Sequence, residues 1–218
     1  MLVKTNIYDL DRKIEGIKAG ELIYVGGRGG CGKTSLSLRL LKCFALEQSL
    51  PVLYFSTVNS KEFIVQRLIS EVSGKEIDGV QDKEFWQKVF LSAEKVADTP
   101  IYVEDGCMAF EKILSSIRDM QHMHGIKVVI IDDVHKITAK AAEYVSALSR
   151  LAKELSFAIF LFSKIDKVSS DAKKKYSLCI SDLEEGIFDS SDLILFVDEK
   201  RITLSKSKDE RGLGLCNL

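Results

Sequence analysis

Short apolar runs alternate along the chain with longer segments whose apolar residues recur every three or four positions. The runs are Glu21–Gly26, Val52–Ser56, Ile101–Glu104, Val128–Asp132, Ala158–Ser163, Leu193–Val197 and Arg201–Ser205, rich in Val, Ile, Leu, Phe and Tyr. Continuous apolarity of this kind predicts strands buried on both faces. The intervening segments Lys33–Gln48, Ser60–Val72, Asp82–Ala97, Ala109–His124 and Ala141–Ser156 carry helical spacing, as in Leu36, Leu40, Leu41 and Phe44. Ser60 is placed to cap the second of these helices, and Pro51 and Pro100 stand just before strands, where a helix cannot continue. The alternation predicts a single α/β domain over residues 1–218, a mostly parallel twisted sheet flanked by helices. The last two strands, joined near Asp198–Lys200, read as a β-hairpin at one edge of that sheet. Ligands of such sheets bind beyond the carboxyl ends of the strands.

Composition narrows the function classes. With 218 residues, 46% of them hydrophobic and 29% charged, the chain can bury a full core and is not a disordered segment. The net charge is −1, so any contact with nucleic acid has to come from a local patch. The longest wholly apolar stretch, Phe157–Phe162, is far below the ~20 residues of a membrane span. Charges in Met1–Lys13 come too early for a secretion signal. Five cysteines without a C-x-x-C pair fit reduced thiols in a cytoplasm.

The chemistry begins directly after the first run. Gly27-Arg28-Gly29-Gly30-Cys31-Gly32-Lys33-Thr34 matches G-x-x-x-x-G-K-[ST], followed by Ser35 at the opening of a helix. Glycines let successive backbone N–H groups turn toward phosphate oxygens, and the helix start adds its positive dipole end. Lys33 is expected to reach the β- and γ-phosphates of ATP, and the Thr34 hydroxyl to ligate Mg²⁺. Lys127–Asp132 is a buried strand ending in a carboxylate, so Asp132 is expected on the metal side. Asp133 follows it directly, where other phosphate-loop ATPases place a water-activating glutamate. Asp133 and His135 are therefore candidate bases, the alternative being a cap on the next turn and an ordinary loop histidine. His122 and His124, two apart on a helix end, do not share a face and are not read as a metal pair. Phe85, Trp86 and Phe90 are expected in a core or packing face.

Taken in order, several segments resemble the C-terminal, RecA-like ATPase domain of DnaB-type replicative helicases. Ile7–Arg12 with Gly16, Gly20 and Glu21 is similar to that domain's opening; Phe55-Ser56, Ser60-Lys61-Glu62 and Gln66-Arg67-Leu68 are similar to its second strand and the helix after it. Leu151–Leu155, Ser181–Gly186 and Lys206-Ser207-Lys208 complete the pattern, which covers the chain from about residue 5 onward. The resemblance implies an ATP- and Mg²⁺-dependent motor. Assembly into homo-oligomers would bring Lys206 and Lys208 to a neighbour's γ-phosphate. The family's N-terminal domain and linker find no counterpart here.

Departures from the family pattern are specific. Its catalytic glutamate corresponds to Val58, which can neither accept a proton nor align water. A glutamine proposed to sense the γ-phosphate becomes Lys164, a finger arginine becomes Lys208, and a loop arginine becomes Glu184. The resemblance therefore implies either an ATPase with weakened hydrolysis or a nucleotide-sensing paralogue that switches its association with DNA or protein. Clock- and recombination-type relatives fit the Ser56–Leu68 and Ser181–Gly186 segments less well. Lys164, Lys167, Lys173, Lys174 and Lys175 stand against only Asp166 and Asp171. They lie where the family projects a loop toward single-stranded DNA, and lysines there can follow a phosphate backbone. The alternative is a solvated surface loop.

Overall fold

The structure is a computed structural model that describes residues 2–74, 82–106, 108–134, 141–165, 178–198, 201–207 and 214–217. A two-stranded ribbon, β1 (Leu2–Val3) with β2 (Ile17–Lys18), encloses helix α1 (Tyr8–Ile14). Then come β3 (Leu22–Gly27), α2 (Lys33–Leu41) continuing as a π-helical stretch Lys42–Glu47, β4 (Val52–Ser56), α3 (Lys61–Ser73) and α4 (Lys83–Ala97). Next are β5 (Ile101–Asp105), α5 (Phe110–His124), β6 (Val128–Asp132), α6 (Ala141–Leu155) and β7 (Ala158–Lys164). The chain closes with a 3-10 turn at Ile180–Asp182, α7 (Ile187–Ser190), β8 (Leu193–Asp198), β9 (Arg201–Ser207) and β10 (Gly214–Asn217).

Eight strands form one sheet in the order β10-β9-β8-β3-β7-β6-β4-β5. From β8 to β5 the pairing is parallel, and β9 and β10 are antiparallel. The expected edge hairpin is therefore β8–β9, and a third strand, β10, extends it. The parallel strands inside the sheet are buried on both faces because alternate residues feed two separate cores, whereas β5, at the edge, is only half-buried, against the expectation for Ile101–Glu104. Ile23, Val25, Tyr54, Ile130, Phe160 and Leu195 pack with α1, α2 and α3 on one face. Leu22, Tyr24, Phe55, Ile131, Leu161 and Phe196 pack with α5 and α6 on the other.

Local signals set the helix ends. The Ser60 hydroxyl accepts the Phe63 N–H at 3.3 Å, and the Asp82 carboxylate accepts the Phe85 N–H at 2.8 Å. Helix α1 is too short for a periodic signature. It is tied instead by Asp11, whose carboxylate accepts the backbone N–H groups of Thr5 and Asn6 and the Thr5 hydroxyl. On α4, Phe85 is buried in the core, whereas Trp86 and Phe90 are 47% and 64% exposed, which leaves for these two the packing-face alternative. Trp86 and Phe90 lie four residues apart on one side of the helix. No helix among the described residues is long and apolar enough to cross a membrane.

Tyr24 sits wholly inside the second core beside Ser163. Burial pushes its phenol up to about 12, the Ser163 hydrogen bond works against that, and Asp133 and Glu184 add to it. The unfolded chain loses this proton near pH 10 and the folded chain keeps it to higher pH, so stability is full below pH 10 and falls as pH rises toward 12. Urea unfolding at pH 9 and 11 checks this: the wild type should lose about 1.4 kcal/mol more than Tyr24→Phe over that interval.

Candidate functional site

β3 runs out at Gly26-Gly27, and the next residues fold back over its end before α2 begins. A side chain at Gly27 would put its Cβ 2.5 Å from Cys31 Sγ and 3.1 Å from the Val197 carbonyl oxygen, so the turn closes only on glycine. Gly32 adopts φ +94° and hands the chain into α2, whose first turn is closed by the Leu36 N–H donating to the Gly32 carbonyl at 2.9 Å. Arg28, Gly29 and Gly30 are exposed along the rim, as is Ser35, and Thr34 is half-buried. Lys33 is only 8% exposed. Its ammonium donates to the carbonyls of Gly27 (3.0 Å) and Arg28 (2.9 Å), across the hollow of the loop. Burial pushes the Cys31 thiol up and the neighbouring Lys33 pulls it back.

Asp132 ends β6 on the α2 face and is 3% exposed. The Thr34 hydroxyl faces its carboxylate and favours its charged form. Oδ2 accepts from the Tyr54 hydroxyl at 3.2 Å and the Ser37 hydroxyl at 3.3 Å. Desolvation pushes this carboxyl above the usual range, Asp133 adds to that, and the three hydroxyls oppose it. Carboxylate and hydroxyl oxygens are the hard donors that Mg²⁺ takes, and two such residues with phosphate oxygens suit its habit of sharing ligands with a nucleotide. Among the described residues no cluster of three or more His, Cys, Asp or Glu could hold a metal by itself.

Asp133 turns to the opposite face, toward Tyr24. Its Oδ1 accepts the Lys164 backbone N–H at 3.3 Å, and the Thr57 hydroxyl clasps its backbone, donating to the carbonyl at 2.8 Å and accepting the N–H at 2.9 Å. Lys164 pairs with Gly27 across β7 and β3. Its Cε lies 3.3 Å from where a Cβ on Gly29 would stand, so its side chain crosses the phosphate loop. Val58, in the turn after β4, is 59% exposed. The Ser56 hydroxyl holds that turn by donating to the Asn59 carbonyl at 2.6 Å.

Lys206 lies elsewhere. It pairs with Ile194 near the amino end of β8, whereas the loop leaves β3 at the level of Val197 near the carboxyl end. Its ammonium donates to the Phe188 carbonyl and sits 4.1 Å from the centre of that ring. Within one chain Lys206 thus lies two strands from β3 and three residues further toward the amino end of β8 than the level at which the phosphate loop begins. His135, Lys167, Lys173, Lys174, Lys175 and Lys208 fall outside the described residues. Sequence reasoning missed Ser37, Tyr54 and Thr57. Ser37 stands three residues after Thr34, on the same helix face, which was the available signal. Tyr54 read only as a core residue.

The chain and its fold have known counterparts. The model of the DnaB-like helicase C terminal domain family matches residues 3–214. The replicative DNA helicase DnaB of Leifsonia xyli subsp. xyli (strain CTCB07) is 27% identical over 84% of this chain and 43% of that protein. The DnaB of Synechocystis sp. (strain ATCC 27184 / PCC 6803 / Kazusa) is 27% identical over 98% of this chain and 26% of that protein. The chain thus spans less than half the length of these relatives. Among solved structures, a DnaB-like replicative helicase described with its interactions with primase superposes with a TM-score of 0.85 over 98% of this chain and 58% of that one, at 20% identity. The shared architecture is the RecA-like one, a mostly parallel sheet between helices. With its fold and nearly its whole length matched, the chain belongs to the DnaB-like helicase C-terminal domain family.

Proposed function

We propose that the chain binds ATP with Mg²⁺ and acts as the motor domain of a replicative-helicase type ATPase whose own hydrolysis is slow. The observation that carries this reading is the phosphate loop Gly27–Ser35 between β3 and α2, with Asp132 beside Thr34 at the end of β6. Loop amides and the start of α2 supply donors to the phosphates. Lys33 exchanges the Gly27 and Arg28 carbonyls for the β- and γ-phosphates, and Lys164 adds a second cation across Gly29. Thr34 and Asp132 hold the metal, which when bound neutralises charge on the phosphate oxygens. Two lysines at the loop favour a triphosphate over a diphosphate by charge alone.

Slow turnover follows from Val58. An isopropyl group cannot take a proton, and lack of a general base typically costs about 10²–10⁴ in rate. Asp133, the carboxylate next to Asp132, is engaged with the Lys164 N–H and faces Tyr24. We assign it to fastening β6 to β7. Lys206, engaged with Phe188 and turned from its own loop, and Lys208 serve a neighbouring subunit in an assembled homo-oligomer, where cationic charge stabilises the transferring phosphate. Val58 also favours a second reading, a nucleotide-sensing switch that binds ATP and signals by changing its hold on DNA or a partner. Lys167, Lys173, Lys174 and Lys175 are the candidate contacts to single-stranded DNA, and Lys164 is given to the phosphate side.

ATP binding measured by calorimetry should weaken about 10–100-fold in Lys33→Ala, the loss expected for charged hydrogen bonds to phosphate. Steady-state turnover should rise at least about tenfold in Val58→Glu; an unchanged rate would remove the missing-base explanation. Stimulation of wild-type turnover by single-stranded DNA selects the motor, and tight binding without turnover selects the switch. In a salt titration of oligonucleotide binding, replacing Lys173, Lys174 and Lys175 by Ala should flatten the log–log slope by about 2, at roughly 0.7 per phosphate contact.

A further inference from the structure

The hydroxyls of Ser37 and Tyr54 occupy positions where packing alone asks for carbon. Both residues are fully buried. Tyr54 lies among the apolar residues of the α2-side core, and Ser37 stands on α2 between the buried Leu36 and Leu38. A buried hydroxyl costs stability unless it is hydrogen-bonded. Here the two bond each other at 2.7 Å. Both then reach the same carboxylate oxygen, Asp132 Oδ2, at 3.3 Å from Ser37 and 3.2 Å from Tyr54. Ser37 also lies 2.9 Å from the Thr34 carbonyl, one turn back on its helix.

Proton counting shows what the arrangement does. Two hydroxyl protons face each other and an ionised carboxylate, which only accepts. With Tyr54 donating to Oδ2 and Ser37 to Tyr54, both hydroxyls and the carboxylate form one chain, and the Thr34 carbonyl competes for the Ser37 proton. The carboxylate cannot rotate about its Cβ–Cγ bond without giving up that contact, so its second oxygen keeps a fixed orientation. The pair also links α2, which carries Thr34, to β4 and to β6, which carries Asp132. Two prospective metal ligands on different elements are therefore held at one separation.

We infer that Ser37 and Tyr54 are positioning residues that hold the Asp132 carboxylate for a divalent cation shared with the phosphates of a bound nucleotide. The inference rests on the nucleotide-binding reading above. Loss of such outer contacts typically lowers metal affinity about 10–100-fold. The test titrates a fluorescent N-methylanthraniloyl derivative of ATP into the wild type, Tyr54→Phe and Ser37→Ala, first in EDTA and then with rising Mg²⁺. Each variant should need about tenfold more Mg²⁺ for half-maximal enhancement of binding, with affinity in EDTA unchanged. Urea unfolding of the same samples shows which variants are folded, and Ser37→Ala decides alone if Tyr54→Phe is not. Unchanged Mg²⁺ half-saturation in the folded variants overturns the inference. So does an equal loss in EDTA and Mg²⁺, which marks repacking of the loop. A wild type that binds no nucleotide under either condition overturns the nucleotide-binding reading itself, whereas wild-type binding with unaltered variants overturns only the positioning role.

Discussion

Parallel register is what the rest of the structure depends on. Gly27 pairs with Lys164 and Val197, and Ser56 with Asp132 and Asp105, so the ends of β3, β7, β8, β4, β6 and β5 are drawn to a common edge. Side chains alternate across a strand, so a slip of one residue would exchange the faces of Asp132 and Asp133. One now meets Thr34, Ser37 and Tyr54, and the other Tyr24 and the Lys164 amide. Burial on both faces makes that slip prohibitive, since every apolar residue of the strand would change core with it. The two cores are thus the reason the carboxylate facing the loop is Asp132.

Charge is distributed unevenly around this edge. Lys33 and Lys164 converge on the phosphate loop, and the turn that a family member would furnish with a glutamate carries Val58. Cations stabilise a bound triphosphate and its transition state alike, whereas activation of water needs a base. On the proposed reading, the combination favours holding nucleotide over consuming it. Asp133, the acid next to Asp132, joins two strand ends by accepting the Lys164 N–H at Oδ1.

Intramolecular contacts also separate functions along the sheet. Lys206 reaches the Phe188 carbonyl and ring on β9, toward the amino end of β8 and away from the loop at Gly27. On the proposed reading, its cation would serve a neighbouring molecule rather than its own loop.

The residue pattern by itself determined the strand and helix order and the phosphate loop. These depend on local periodicity, on glycines that a turn requires and on an acid closing an apolar run. Ser60 as a cap was legible for the same reason, since its bond spans three residues. The ribbon β1–β2 and strand β10 were not, because two- and four-residue segments carry no period and exist only through distant pairing. Tertiary structure alone decided that Asp132 and Asp133 face different cores, that Lys164 lies across Gly29, and that Ser37 and Tyr54 share Asp132 Oδ2. Each of these joins residues many positions apart through strand register, and register is set by two cores closing at once rather than by any short stretch of chain.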